Sequence, residues 1–236
     1  MKAPQKKGAA GLRFFRFHFL RRLWLLPLIA AWVFLCLYSQ LGVENLPPLK
    51  MALGLAKLFA LYLPIPCIVL SIFIFTNPTE LEFCQCYGFS PVRLGLTQLF
   101  PPVFFQMLCT GLGAFLAPGD AFTLIPNLRW LLFLESTVNL FAVVSAVFLA
   151  RVLIRNLFGT LGAALILYYG ITMSSFFVKG SYAYYFVGEA LFVALDQDLP
   201  LETFYVNRGI FTCFAVILSA VSILILRGSR YTEKDI

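Results

Sequence analysis

Six stretches of 18–26 residues that hold a single charged residue between them, Glu135, constrain this chain more than anything else in it. They are Leu23–Val43, Leu58–Thr79, Leu94–Gly119, Leu131–Ala150, Asn156–Val178 and Gly209–Leu226. A helix that crosses a bilayer needs about 20 apolar residues, within roughly 17–25. In hydrocarbon every backbone N–H and C=O must be satisfied inside the chain, so such stretches can only be helices. With 61% apolar and 12% charged residues, water could not solvate the remainder of the surface. The expected fold is all-α and membrane-integral, with six transmembrane helices at about 23–43, 56–76, 95–117, 130–150, 157–178 and 209–226. These make one domain over residues 1–236. The first stretch is too long and aromatic for a signal segment, whose apolar region runs about 7–15 residues.

Lys and Arg collect in cytoplasmic loops and so orient the chain. Six spans put both termini on one side, together with Lys2, Lys6, Lys7, Arg13, Arg16, Arg21, Arg22, Arg93, Arg151, Arg155, Arg227, Arg230 and Lys234. The opposite side receives only Lys50, Arg129, Lys179 and Arg208, while Lys57 can snorkel from the outer end of the second span. Both termini are therefore expected in the cytoplasm, in a multi-pass protein of the cell membrane. The net charge of +7 follows from this bias and requires no nucleic acid.

Residues 1–22 read as a cytoplasmic tail followed by an interfacial helix. Leu12, Phe15, Phe19 and Leu23 share one face, and Arg13, His18, Arg21 and Arg22 lie elsewhere on the wheel. A basic topological anchor accounts for the same residues equally well. Between the second and third spans, Thr79 and Glu82 form a capping box and Gly88 is a helix stop. Ser90–Pro91 then opens the next helix. A short helix over Thr79, Glu80, Leu81, Glu82, Phe83 and Tyr87 should thus lie on the cytoplasmic face, as a docking element or as a seal for the bundle. Beyond the fifth span, Tyr182–Leu195 is apolar, carries only Glu189 and is too short to span. It is expected to fold as a re-entrant or interfacial excursion, with a polar turn at Asp196–Pro200 and a return through Leu201–Val206; an outer cap folded over the loops is the plainer alternative.

Ionisable groups at mid-membrane cost roughly 2.5–3.5 kcal/mol on insertion scales, so they mark functional candidates. Glu135, with Asn139 one turn on, could line a substrate path near the outer leaflet, as could Gln106 and Thr110; interhelical hydrogen bonding is the plainer role. Gly159, Gly162 and Ala163 form a small-residue seam for packing within the chain or between two copies. Catalytic patterns are missing: the sequence holds no G-x-x-x-x-G-K-[ST], no H-E-x-x-H and no G-x-S-x-G. Cys84 and Cys86 form an isolated C-x-C, and no metal is expected. Gly119–Asp120 has no second aspartate within a span to complete an intramembrane aspartyl protease. Nor is there a relay of acids and histidines across the spans, so any driving force must come from another chain.

The run E-L-E-F-C-Q-C-Y-G-F-S-P-V-R-L-G-L-T-Q-L, Glu80–Leu99, resembles the first cytoplasmic loop of the membrane permease subunits of ABC-2-type exporters. The order of elements is similar too: an amphipathic start, six spans, and an outer re-entrant hairpin between spans five and six. Phe89 stands where that family has a smaller residue, and its long outer domain has no counterpart here. The resemblance implies a permease without its own ATPase, pairing with a second copy or a homologous permease. A cytosolic ABC ATPase would hold ATP and Mg, and Thr79–Tyr87 would be the coupling helix, Glu80 and Glu82 facing basic ATPase surface. It implies export of a hydrophobic or amphipathic substrate. Two other classes fit the composition: a non-transporting membrane partner (an immunity or sensor protein), and a small lipid-directed enzyme, for which no acid–base pair or metal cluster is evident.

Overall fold

In the computed structural model the described residues are 20, 22–41, 47–74, 91–116, 122, 125–154, 157–177 and 183–228. Among them every regular element is helical. The order is α1 (Leu25–Leu41), α2 (Pro48–Lys57), a π turn (Leu58–Tyr62), α3 (Ile65–Ile74), α4 (Pro91–Leu116), α5 (Leu128–Ile154), α6 (Leu157–Phe177), a 3-10 turn (Ala183–Phe186), α7 (Ala190–Asp196) and α8 (Leu201–Gly228). Three helical stretches, Pro48–Ser71, Leu128–Ile154 and Leu201–Ile225, are long and apolar enough to cross a membrane. Three shorter apolar helices, Leu25–Ser39, Phe100–Leu116 and Phe158–Gly170, accompany them.

Polarity is distributed inside out. Phe158, Ile166, Leu116 and Phe34 stand 67–78% exposed, whereas Gln106, Thr110, Glu135, Asn139, Glu189, Asn207 and Arg208 are buried. A water-soluble domain hides its large apolar groups and almost never buries charge completely. Hydrocarbon reverses that preference, and this chain is built for it. In such a solvent, apolar side chains gain little by packing together, so close fit and polar contacts must hold the helices.

Helix α5 is the hub. It packs against α8 most extensively, and also against α3, α4, α6 and the π turn. More than half of its apolar window is buried, against 17% for α8, which leans on the bundle with one face. Helix α1 packs on α4, and Gly113 lies at that contact. A Cβ there would lie 2.8 Å from Leu37 Cδ1 and 3.0 Å from Val33 Cγ1.

Only part of the small-residue seam meets a neighbour within the chain. A Cβ on Gly162 would meet nothing within 4 Å, and one on Gly159 would meet only the Ile154 side chain just before α6. Gly159, Gly162 and Ala163 are each partly exposed. Gly113 is thus a close contact between α1 and α4 that lies outside the Gly159–Ala163 seam.

The second apolar stretch is a broken rod. Pro64 and Pro66 have no N–H to give to the carbonyls four residues earlier, Ala60 and Tyr62. The backbone widens into a π turn ahead of them, closed by Leu63 N–H to Leu58 O at 3.1 Å. The rod begins at Pro48, before the expected 56, because Lys50 lies on its first turn without breaking it.

Two further differences concern the segment between α6 and α8. No separate return strand runs through Leu201–Val206; those residues are the first turns of α8, which therefore starts before the expected 209. The turn at 197–200 closes α7 with Leu199 N–H bonded to Ala194 O at 2.9 Å and Asp198 at φ 52, the left-handed cap of a Schellman turn. Leu12–Phe19, the Thr79–Gly88 segment, Cys84 and Cys86 lie outside the described residues.

Candidate functional site

Four consecutive carbonyls at the break in the second rod each receive a side-chain donor from a different helix. Asn139 Nδ2 on α5 donates to Ala60 O at 3.2 Å, and Tyr168 Oη on α6 donates to Leu61 O at 3.1 Å. Trp32 Nε1 on α1 reaches Tyr62 O at 3.0 Å, and Gln106 Nε2 on α4 reaches Leu63 O at 2.8 Å. Irregular backbone within a membrane protein is tolerated where neighbouring groups re-satisfy it, and here every donor comes from outside the broken rod. The break is thus the point at which four helices are tied to a fifth.

A second polar layer adjoins the first through Asn139. Its Nδ2 also donates to Gly188 O at 2.9 Å, and its Oδ1 accepts from Arg208 Nη1 at 2.7 Å. Arg208 Nη2 donates to Val187 O at 3.1 Å and to Gly188 O at 3.3 Å, while Nε donates to Asn207 Oδ1 at 2.9 Å. Asn207 Nδ2 in turn donates to Tyr184 O at 2.8 Å and Val187 O at 3.1 Å. Glu135 Oε1 accepts the Leu191 N–H at 2.9 Å, and the Tyr184 hydroxyl donates to Ala190 O at 2.9 Å. Burial pushes the Tyr184 phenol up to about 12, so it remains a donor at any physiological pH. The segment from Tyr184 to Leu191 is therefore held, carbonyl by carbonyl, to α5 and α8.

Electrostatically the layer contains two carboxylates and one guanidinium. Glu135 is 0%, Glu189 1% and Arg208 2% exposed. Glu135 lies within electrostatic reach of both of the others. Arg208 also stacks near the Phe204 and Phe211 rings, 5.6 and 5.0 Å from their centroids, which shields it from solvent.

Sequence reasoning named Glu135, Asn139, Gln106 and Thr110. The fold joins Glu135 and Asn139 to one layer and puts Gln106 in the other, where its Nε2 also lies 3.1 Å from Thr110 Oγ1. All four are buried. Arg208 was expected in the outer loop, and that assignment is corrected: it sits in the second turn of α8, inside the bundle. Charge counting missed it because an arginine just before an apolar stretch reads as a flank. The signal that could have found it was Asn207–Arg208 adjoining the run from Leu201, which extends the last helix inward past both. Pro64 and Pro66 were the unread signal for the other layer.

No protein-family model, curated protein or solved structure matches the chain. The polar layers must therefore be read from their own chemistry. Among the described residues no three His, Cys, Asp or Glu side chains come together to hold a metal. What the arrangement can do is restrain a broken helix and the short segment between α6 and α8 against α5 and α8. Separating α5 from α8 would expose several donors and acceptors at once.

Proposed function

We propose that the chain is the membrane permease subunit of an ATP-driven ABC exporter, of the ABC-2 type, working with a separate cytosolic ATPase. In this reading α1, the α2–α3 rod, α4, α5, α6 and α8 are six crossings, both termini are cytoplasmic, and the protein resides in the cell membrane. The observation that carries the reading is the pair of short helical segments, Ala183–Phe186 and Ala190–Asp196, between α6 and α8 and tied to both α5 and α8. The ABC-2 resemblance calls for a re-entrant hairpin at that point in the chain order. The inside-out polarity and the absence of a phosphate-cradling sequence add support.

Under this reading Thr79–Gly88 meets the ATPase, which binds ATP and Mg. Glu135 and Asn139 then become available to a hydrophobic or amphipathic substrate when α5 and α8 part, and Gln106 and Thr110 when α4 leaves the break in the second rod. The open side of Gly162 would face a second permease copy, a homologous permease or lipid. A non-transporting membrane partner is the second reading, supported by the many bonds that the polar side chains make to neighbouring helices.

Co-purification distinguishes the two. The epitope-tagged chain, extracted in mild detergent from its native cell, should bring down a P-loop ATPase in a fixed ratio. Isolation of the chain without any ATPase would retire the exporter reading.

A further inference from the structure

A continuous helix is stiff because its main-chain ladder resists bending, and the second rod has lost that ladder where Pro64 and Pro66 withhold their N–H groups from the Ala60 and Tyr62 carbonyls. The backbone opens into the π turn Leu58–Tyr62 just ahead of them. What holds the break is borrowed. Asn139, Tyr168, Trp32 and Gln106 donate to the carbonyls of Ala60, Leu61, Tyr62 and Leu63, from α5, α6, α1 and α4 in turn. Side-chain bonds from separate helices can be given up one at a time, without unwinding any helix.

The two halves of the rod also pack into different apolar cores. Before the break, Ala52, Leu55 and Phe59 join a core with α1 and with the first turns of α5. After it, Cys67 and Ile68 pack with Leu140, Val144 and Val147, further along α5. Among the described side chains of α3, only the half-buried Leu70 reaches the first core. At the break itself one acceptor is idle: Gln106 Oε1 is buried with no hydrogen-bond partner, although Nε2 of the same amide makes two bonds. A buried oxygen without a donor costs stability, so this arrangement is not the one that best satisfies that amide.

We propose that Leu58–Pro66 is a latched hinge, at which α2 and α3 change their mutual angle when the borrowed donors let go. Helix α2 packs on α7 and holds Lys57 over the Phe192 ring at 5.0 Å. A swing of α2 would therefore pull on the segment whose Val187 and Gly188 carbonyls are tied to α5 and α8. The hinge does not depend on whether the chain is an exporter.

Pulsed electron–electron double resonance on the full chain in lipid nanodiscs tests this. Spin labels are attached, in a cysteine-free background, at Leu49→Cys and Val69→Cys, exposed positions on either side of the break. Trp130→Cys and Leu153→Cys, exposed on the unbroken α5, form the reference pair. With all donors present the rod pair should give one dominant distance. Trp32→Phe together with Tyr168→Phe keeps an aromatic ring at each site and removes two latches, and it should add a second distance to the rod pair alone. Either substitution by itself should do the same to a smaller degree. Adding Pro64→Ala and Pro66→Ala returns N–H groups to the Ala60 and Tyr62 carbonyls, and should restore a single distance. A rod distribution that the latch variants leave unchanged overturns the proposal. So does equal broadening of the α5 pair, or a second distance that survives the alanine substitutions. Circular dichroism on the same samples confirms that each variant retains its helices.

Discussion

Arg208 donates to Asn139 Oδ1 at 2.7 Å across 69 residues of sequence, and through this bond α8 is fastened to α5 beside the Tyr184–Leu191 segment. The same guanidinium holds the Val187 and Gly188 carbonyls. Removing one partner of a buried, hydrogen-bonded charge costs about 3–5 kcal/mol. Arg208→Ala should therefore lower resistance to denaturing detergent by about that amount. Arg208→Lys should recover less than half of it, because an ammonium cannot bridge Asn139, Asn207 and two carbonyls in one plane. Titration of helicity against SDS fraction measures both.

The helix break makes a sharper claim through coupling. Tyr62 O lacks an intrahelical donor because Pro66 has no N–H, and Trp32 Nε1 takes that role. Trp32→Phe should cost about 1–2 kcal/mol in the wild-type background. Pro66→Ala restores an N–H at the position that serves Tyr62 O. In that background Trp32→Phe should cost markedly less, a coupling of about 1 kcal/mol in a double-mutant cycle. Strict additivity would show that the tryptophan bond contributes nothing of its own.

Glycines that look alike in sequence should respond oppositely. Gly113→Val drives two methyls into Leu37 and Val33, and overpacking of this kind costs about 1–3 kcal/mol. Gly162→Ala enters open space and gains helix propensity, so stability should hold or rise by up to about 1 kcal/mol. If Gly162→Ala instead abolishes a dimer seen by crosslinking, Gly162 belongs to a seam between copies. Unfolding curves and crosslinking of the same two variants settle which.

Topology is open to direct chemistry. In a cysteine-free background, a membrane-impermeant maleimide should label Phe122→Cys and Gln197→Cys in intact cells. It should label Phe83→Cys and Leu153→Cys only after permeabilisation. Gln197 and Leu153 are exposed, so burial will not mask the reagent there. Labelling of 153 from outside would invert the arrangement.

The exporter reading makes its own demand on Glu80 and Glu82. Reversing both to lysine should reduce substrate-stimulated ATP hydrolysis by the assembled complex at least several-fold, through like-charge repulsion against basic ATPase surface. Membrane insertion, followed by the yield in washed membranes, should be unchanged. Full activity in the double variant would detach Thr79–Tyr87 from the ATPase.

Composition and the spacing of charges were enough to make this chain helical and suited to lipid, because hydrocarbon leaves a backbone no other way to satisfy its polar groups. Glu135 and Asn139 were legible for the same reason: a carboxylate one turn from an amide in an apolar run needs a partner. Which partner was another matter. Arg208 read as a loop charge and Gly162 as a packing residue, since local sequence cannot say whether a helix starts two turns earlier or which face its neighbour covers. Only the tertiary arrangement put Arg208 beside Asn139, opposed Gly113 to Leu37, and brought donors from four helices to Ala60, Leu61, Tyr62 and Leu63. Those contacts join residues far apart in the chain, and the free energy that selects them resides in the Ala60 and Tyr62 carbonyls that Pro64 and Pro66 leave without a donor and in buried charge, not in any local preference.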